Sequence, residues 1–325
     1  MTLGLIKNLT KAAFVALVFC YCTLFTAAWV DIFNILTPFM FQYLLCSLVL
    51  VAMFVFFKQK YWIIANVILT LLFCTEYISA NKLFQPIHSY FEAGYDLNII
   101  SYNQLYINQH SAEFISSPQV KKADFVAIFE ANDAAARAAN TVKARFPYQY
   151  SVLNMQTKSV IALSRWPIIE AKRIDTAENT AEQNVILRFK IQAEGAKRPA
   201  LIYALHTKSP LPLRRISARN HELETLAALI KKDRQDLRLP QIALGDFNIT
   251  PYNPHFKQLL TNGALIMPRP DRLPIHSWPS FAPWFIRFQI DHILYSEGVT
   301  SQSVQTLQAF GSDHLALQAR LSIAN

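Results

Sequence analysis

Gln241-Ile242-Ala243-Leu244-Gly245-Asp246-Phe247-Asn248 is a short apolar run that ends in a glycine, an acid and, one residue on, an amide. Such a run reads as a buried strand delivering polar side chains at its end. The same arrangement recurs outward in both directions. Asn103 follows the strand Leu97–Tyr102, Glu130 follows Phe125–Phe129, and His206 follows Leu201–Leu205. Asp291-His292 interrupt the strand Gln289–Leu294, and Asp313-His314 precede Leu315–Ile323. Further strands are expected at Tyr148–Leu153, Ser159–Leu163 and Val185–Ile191. Helices are expected at Asp133–Arg145 and at Arg214–Lys232, where Ile216, Leu223, Leu226, Leu229 and Ile230 share one face. Strands alternating with helices predict a layered α/β sandwich, with the strand ends gathered on one rim.

Taken singly, an Asp or Asn after a strand is an ordinary turn or cap residue, and a lone histidine is an ordinary core or surface residue. Together they describe chemistry. Hard oxygen donors without thiols suit Mg²⁺ or Mn²⁺ rather than zinc, because Mg²⁺ takes one or two carboxylates and keeps several waters. Histidines beside spare carboxylates suit general acid–base work.

The sequence before this region is of a different kind. The chain has 325 residues, 52% hydrophobic and only 16% charged, against about a quarter charged in an ordinary soluble domain. Of its 31 basic and 22 acidic residues, only Lys7, Lys11, Lys58, Lys60, Asp31 and Glu76 fall in 1–80. Ala12–Val30 and Ile32–Phe57 carry no charge, and Tyr61–Thr75 carries none before Glu76. Crossing a bilayer needs roughly 20 apolar residues. We therefore expect three transmembrane helices, at about 12–30, 34–57 and 61–80, then a linker over 81–95 and a domain over 96–325. Asn66 and Glu76 make the third span the weakest of the three. A cleaved signal peptide would account for the first run and leave the other two unexplained. Lysines at the N-terminus and at the second connector place both in the cytoplasm by the positive-inside rule. With three spans, the large domain faces the extracytoplasmic side of an inner or plasma membrane; with the third run not crossing, it faces the cytoplasm instead. All four cysteines (Cys20, Cys22, Cys46, Cys74) lie in the apolar runs, so the large domain has no thiol for a metal or redox motif.

Asn103, Glu130, His206, Gly245-Asp246-Phe247-Asn248, Ile290-Asp291-His292 and Ser312-Asp313-His314 occur in the order of the endonuclease/exonuclease/phosphatase family, which the region 96–323 resembles. Ser164-Arg165-Trp166-Pro167-Ile168 also looks like that family's Ser-Arg-aromatic-Pro-Ile turn. The resemblance implies a four-layered, deoxyribonuclease I-like α/β sandwich and metal-dependent cleavage of phosphate esters. It assigns the metal to Glu130, with Asn103 beside it as ligand or supporting group, and gives Asp313 a part in holding the metal or His314. It assigns the attacking water to Asp246, a phosphate oxygen to Asn248 and His206, and acid–base work to His314 polarised by Asp291. His292, next along the strand from Asp291, is read as structural. Two departures stand out. Leu105 occupies a place where some nuclease members carry an aspartate, which weakens the case for a second metal. His206 matches the deoxyribonuclease and sphingomyelinase branches rather than the abasic-site branch, which has asparagine there.

The substrate is open between two classes. A net charge of +9, with clusters Lys121-Lys122, Arg214-Arg215-Arg219 and Lys231-Lys232-Arg234-Arg238, suits nucleic acid, an anionic bilayer or a plain solvated face. Ser277–Phe288 carries two Trp and three Phe just before Asp291, and suits a membrane interface or an ordinary packed turn. The expectation is a membrane-anchored phosphoesterase acting on a lipid-linked phosphate or on nucleic acid. The alternative is a catalytically decayed scaffold on the same fold.

Overall fold

The break in composition near residue 80 is also a break in the structure. In the computed structural model the chain divides into two units, Met1–Phe84 with Thr250–Lys257, and Gln85–Ile249 with Gln258–Asn325. Residues 2–82, 94–153, 158–176, 184–271 and 275–325 are described, so most of the expected linker lies outside the described residues.

The first unit holds helices α1 (Leu3–Thr26), α2 (Met40–Phe56) and α3 (Lys60–Ala80), with two 3₁₀ turns, Asp31–Ile35 and Thr37–Phe39, between α1 and α2. All three spans are long and apolar enough to cross a membrane. α1 starts well before residue 12 and includes Lys7 and Lys11. The pattern is inverted relative to a soluble bundle. Leu9, Val15, Phe19, Val49, Ile64 and Leu71 face outward, while Ser47, Asn66 and Thr70 are buried. Asn66 donates from Nδ2 to the Ser47 carbonyl at 2.8 Å, and the Ser47 and Thr70 hydroxyls bond each other. Asn66 thus weakens α3 as a span less than its position in the sequence suggested, because its amide is buried inside the bundle, away from lipid. Glu76, one turn from the end of α3, pairs with Lys257 at 3.0 Å. Lys7 lies over the Phe57 ring and Lys11 over the Trp62 ring, so the basic residues share one end of the helices. Thr250–Lys257 reaches the 3₁₀ turns through Asn253, whose Nδ2 donates to Asn34 Oδ1 at 2.8 Å and Thr37 Oγ1 at 3.0 Å.

The second unit holds β1 (Gly94–Asn103), α4 (Ser111–Ser116), α5 (Pro118–Lys122), β2 (Phe125–Phe129), α6 (Asp133–Thr141), β3 (Tyr148–Val152) and β4 (Val160–Ser164). Then come β5 (Ile168–Asp175), β6 (Val185–Ile191), β7 (Ala200–Leu205), α7 (Arg215–Leu237), β8 (Gln241–Asp246), α8 (Pro254–Gly263, whose first four residues belong to the first unit), β9 (Asp291–Tyr295), β10 (Val299–Thr306) and β11 (Leu317–Ala324). The strands form a six-stranded sheet in the order β10-β11-β1-β2-β4-β3 and a five-stranded sheet in the order β5-β6-β7-β8-β9.

Alternation along the strands builds the layers. Ile99, Phe125, Ala127 and Phe129 of the first sheet share one core with Leu187, Phe189, Ile202, Ile242 and Leu244 of the second. On the outer face of the first sheet, Ile100, Val126 and Ile128 pack with Phe114, Val120 and Ala135 of α4–α6. On the outer face of the second, Arg188 meets Asp233 of α7 at 2.5 Å and Tyr203 donates to Asp233 at 2.8 Å. The result is a four-layered α/β sandwich.

Candidate active site

Parallel pairing carries two chain reversals to one rim. β1 and β2 are parallel neighbours, with Asn103 opposite Phe129, so Asn103 and Glu130 emerge side by side. β7 and β8 are also parallel neighbours, so His206 and Asp246 emerge together from the second sheet. Antiparallel β9 then sets Asp291 directly opposite Asp246. Close approach of β8 to β7 requires glycine at 245: its φ is +144°, and a Cβ there would lie 1.8 Å from the Leu205 carbonyl oxygen. Buried Phe247 anchors the turn, and Asn248 adopts the left-handed conformation (φ +48°), which Asn tolerates. Glu130 is also left-handed (φ +53°) without that excuse, a conformation costing on the order of 1–2 kcal/mol. Strain at a residue of this kind points to function.

The two sheets are joined across the rim by Asn103. Its Nδ2 donates to Glu130 Oε1 and to Asp246 Oδ2, both at 3.1 Å, while its Oδ1 accepts the Leu105 N–H at 3.1 Å. The amide thus stands between the two carboxylates as a donor. Glu130 Oε2 accepts the Tyr106 N–H at 3.1 Å. Asp246 Oδ2 is also approached by His206 Nε2 at 3.6 Å and His314 Nε2 at 3.7 Å, and Asp246 Oδ1 accepts the Asn248 N–H at 2.9 Å. His206 Nε2 lies 3.8 Å from Glu130 Oε1. His314 Nδ1 donates to Asp291 Oδ2 at 2.9 Å, which fixes the ring. Ser312 holds this loop in place: its Oγ donates to the Asn103 carbonyl at 2.7 Å and accepts the His314 N–H at 3.0 Å.

Burial, together with the neighbouring Asp291 charge, pushes the Asp246 carboxyl up to about 6, against the pull of both histidines. Burial works against charge on His314, yet Asp291 and Asp246 outweigh it and raise the imidazole to about 10. The pair therefore shares its proton with His314 as the cationic partner at neutral pH. His292 is different. Burial lowers it to about 4, and its Nε2 donates to the Ile249 carbonyl at 2.8 Å, in keeping with a structural place.

Seven of the eight candidate residues thus meet at the rim or brace it: Asn103, Glu130, His206, Asp246, Asp291 and His314 through their side chains, and Asn248 through its backbone. Asn248 Nδ2 donates to the Thr207 carbonyl at 3.0 Å, leaving one amide proton for another acceptor. Asp313 is engaged elsewhere, its Oδ2 accepting Trp278 Nε1 at 3.0 Å. Glu130 and Asp246, held by one amide and partly open on the Glu130 side, present hard oxygens of the kind a divalent cation such as Mg²⁺ takes, and the residues present fit such an ion. Asp246, Asp291 and His314 also lie close enough to share a cation.

Some participants were not evident in the sequence. Arg219, grouped above with a basic cluster, is buried and donates to the Asn248 carbonyl at 3.1 Å, so it braces the turn rather than a surface stripe. Ser312 was visible two places before His314, but nothing local marks its bond to Asn103. Trp278 carries no sequence signal for its contact with Asp313.

A family model described as Endonuclease/Exonuclease/phosphatase family matches residues 101–314. No curated protein matches the chain. Among solved structures, an endonuclease/exonuclease/phosphatase family protein from Bacteroides thetaiotaomicron is 17% identical, with a TM-score of 0.58 over 71% of this chain and 98% of that one. Sphingomyelinase C from Streptomyces griseocarneus is 16% identical, with a TM-score of 0.53 over 71% of this chain and 100% of its own. TDP2 of D. rerio, complexed with single strand DNA product, is 15% identical, with a TM-score of 0.58 over 70% and 98%. At these identities the likeness is one of fold.

Proposed function

This chain belongs to the endonuclease/exonuclease/phosphatase family, and on that premise we propose that it is a membrane-anchored, divalent-metal-dependent phosphoesterase acting on a lipid-linked phosphate. The observation that carries the reading is Asp246 Oδ2, which has the Asn103 amide at 3.1 Å and two imidazoles within 3.7 Å. A buried carboxylate with a raised pKa, set against a cationic histidine, is the arrangement that moves a proton at neutral pH.

In this mechanism Asp246 orients the attacking water and takes its proton as the new phosphorus–oxygen bond forms and the bond to the leaving oxygen breaks. His314, kept cationic by Asp291, donates toward the oxygens on which charge builds, and His206 assists from the other side. The spare amide proton of Asn248 is offered to a phosphate oxygen. Mg²⁺ or Mn²⁺, held by Glu130 with Asn103 beside it, supplies Lewis-acid stabilisation when bound. Asp313 supports His314 from the neighbouring position. The proton acceptor is read as Asp246 because His314 already carries its proton.

The lipid reading draws support from the loops at the rim. Ile107 follows Asn103 and is 75% exposed, Leu211 follows His206 at 62%, and Phe281 precedes Asp291 at 83%. Tyr106, Leu213, Trp284, Phe285 and Ile286 on the same loops are also exposed. Exposed apolar side chains on three loops beside catalytic residues suit an interface with lipid, in a chain that already carries three membrane-length helices. The nucleic-acid reading keeps the exposed basic residues of α7 but loses Arg219 to the interior.

The test is the full-length protein in detergent with Mg²⁺, offered plasmid DNA, RNA, sphingomyelin and a polyprenyl diphosphate. We expect turnover of a lipid phosphate, abolished by EDTA and lowered about 10²–10⁴-fold in Asp246→Ala or His314→Ala. Cleavage of DNA or RNA without lipid turnover would replace the substrate, and full activity in either variant would show that the site is misassigned. No activity on any substrate would favour a scaffold.

A further inference from the structure

α7 is the crossover that leaves the end of β7 and returns to β8, and Ile216, Leu223, Leu226 and Ile230 bury its inner face. Two charged side chains share that burial: Arg219 is 2% exposed and Glu222, three residues on, 3%. Charges are tolerated in such a place only where hydrogen bonds answer them. Here the answering groups belong to the strand-end loops of the site. Arg219 donates to the Asn248 carbonyl, just past β8, and Glu222 Oε2 accepts the Lys208 N–H at 2.8 Å, two residues past His206. A second arm comes from β6, which pairs antiparallel with β7, Ile186 opposite Leu205, and so brings Asn184 beside His206. Asn184 Nδ2 donates to the His206 carbonyl, and the Asn184 side chain also hydrogen-bonds Glu222. Between these anchors, Thr207 donates its N–H to the Asp246 carbonyl at 2.9 Å and its carbonyl accepts Asn248 Nδ2 at 3.0 Å. Four backbone groups of 206–208 are therefore pinned, and two of the four bonds lead to Glu222. Burial pushes the Glu222 carboxyl up, while the Lys208 N–H, the Asn184 amide and the Lys208 and His206 charges favour its ionised form.

We propose that Glu222 is a positioning residue for the phosphoryl reaction: through the Lys208 N–H and Asn184 it fixes the backbone at His206, and so holds the imidazole 3.6 Å from Asp246 Oδ2. The inference rests on the phosphoesterase reading and adds to that site a residue that touches no reacting atom. Its effect is on rate, because displacing a group that stabilises the transition state by about 1 Å costs up to about 10²-fold.

A double-mutant cycle in the full-length protein in detergent with Mg²⁺ tests this, with bis(4-nitrophenyl) phosphate as the probe. Glu222→Ala is expected to lower kcat about 10–100-fold and to change KM less than about twofold. In a His206→Ala background the same substitution is expected to change kcat less than about twofold, because a residue acting through His206 then has nothing left to position. Glu224→Ala, at an exposed position of α7, should leave kcat unchanged in both backgrounds. Should Glu222→Ala fail to fold, Asn184→Ala removes the other arm and is expected to give the same pattern. An undiminished kcat, a loss carried by KM, or an equal loss with and without His206 would overturn the assignment. Where His206→Ala turns over too slowly to measure, the split between kcat and KM in the single variant decides. Hydrogen exchange reads the brace without turnover. In Glu222→Ala the Lys208 amide should exchange at least about tenfold faster, with the amides of residues 226–230 still protected. Unchanged exchange at Lys208 would overturn the brace whatever the kinetics. Faster exchange in a protein that hydrolyses no phosphate ester would keep the brace and lose the phosphoesterase reading.

Discussion

At the scale of single residues, the neighbouring charges separate two histidines that the sequence presents alike. His314 and His292 each follow an aspartate, and both are buried. His314 faces Asp291 and Asp246 and is held cationic, whereas His292 faces the Ile249 carbonyl and is held neutral. The second has a consequence for stability. With a folded value near 4 and an ordinary value of 6.5, the unfolded chain takes up a proton that the folded one refuses as the pH falls between them. Stability is therefore full above about pH 6.5 and declines by about 1.4 kcal/mol per pH unit toward pH 4, about 3 kcal/mol in all. Comparing unfolding midpoints of wild type and His292→Asn across that range should show a shallower decline in the variant. Parallel declines would place the acid sensitivity elsewhere.

At the scale of elements, two contacts decide whether strands reach the rim in register. β8 passes β7 so closely at Gly245 that no side chain fits beneath the Leu205 carbonyl. Gly245→Ala should cost about 3 kcal/mol or more and disturb Asp246 with it, which a lowered melting point and lost activity would reveal together. A variant as stable as wild type would mean the strands can separate freely there. On the far face of the same sheet, buried Arg188 of β6 is answered by Asp233 of α7, with Glu170 of β5 as a second partner. Asp233→Ala leaves a buried guanidinium half-answered and deprives the Tyr203 hydroxyl of its acceptor, so we expect a loss of about 3 kcal/mol in chemical denaturation. An unchanged midpoint would mean that water takes over both roles.

At the scale of the molecule, the feature with the widest consequence is the helical unit. Lys7, Lys11, Lys58 and Lys60 share one end, and α3 then runs 21 residues, roughly 30 Å, to leave at the other, where Lys82 follows it. The positive-inside rule predicts that the lysine end faces the cytoplasm and the second unit the far side. An enzyme reporter that works only outside the cytoplasm, fused after residue 90, should be active. Activity only from a cytoplasmic reporter would reverse the orientation.

The strands that bury both faces, such as Phe125–Phe129 and Val185–Ile191, were legible in full, because a run of large apolar residues has no other stable use at that length. Strands β5 and β10 were not, because they carry sequences such as Glu170-Ala171-Lys172-Arg173 and Thr300-Ser301-Gln302-Ser303, typical of sheet edges open to water. The candidate residues were legible as strand-end polar groups in a family's order, and the three membrane-length helices as runs too apolar for a soluble chain. By itself the sequence therefore determined the buried strands, the fold class and the chemical types at the rim, since these depend on local pattern. Only the tertiary structure decided that antiparallel pairing sets Asp246 against Asp291, that Asn103 bridges two sheets and that Arg219 is buried. It also decided that Glu222 of α7 holds the Lys208 N–H. Those are distances between residues far apart in the chain, and no local pattern encodes them.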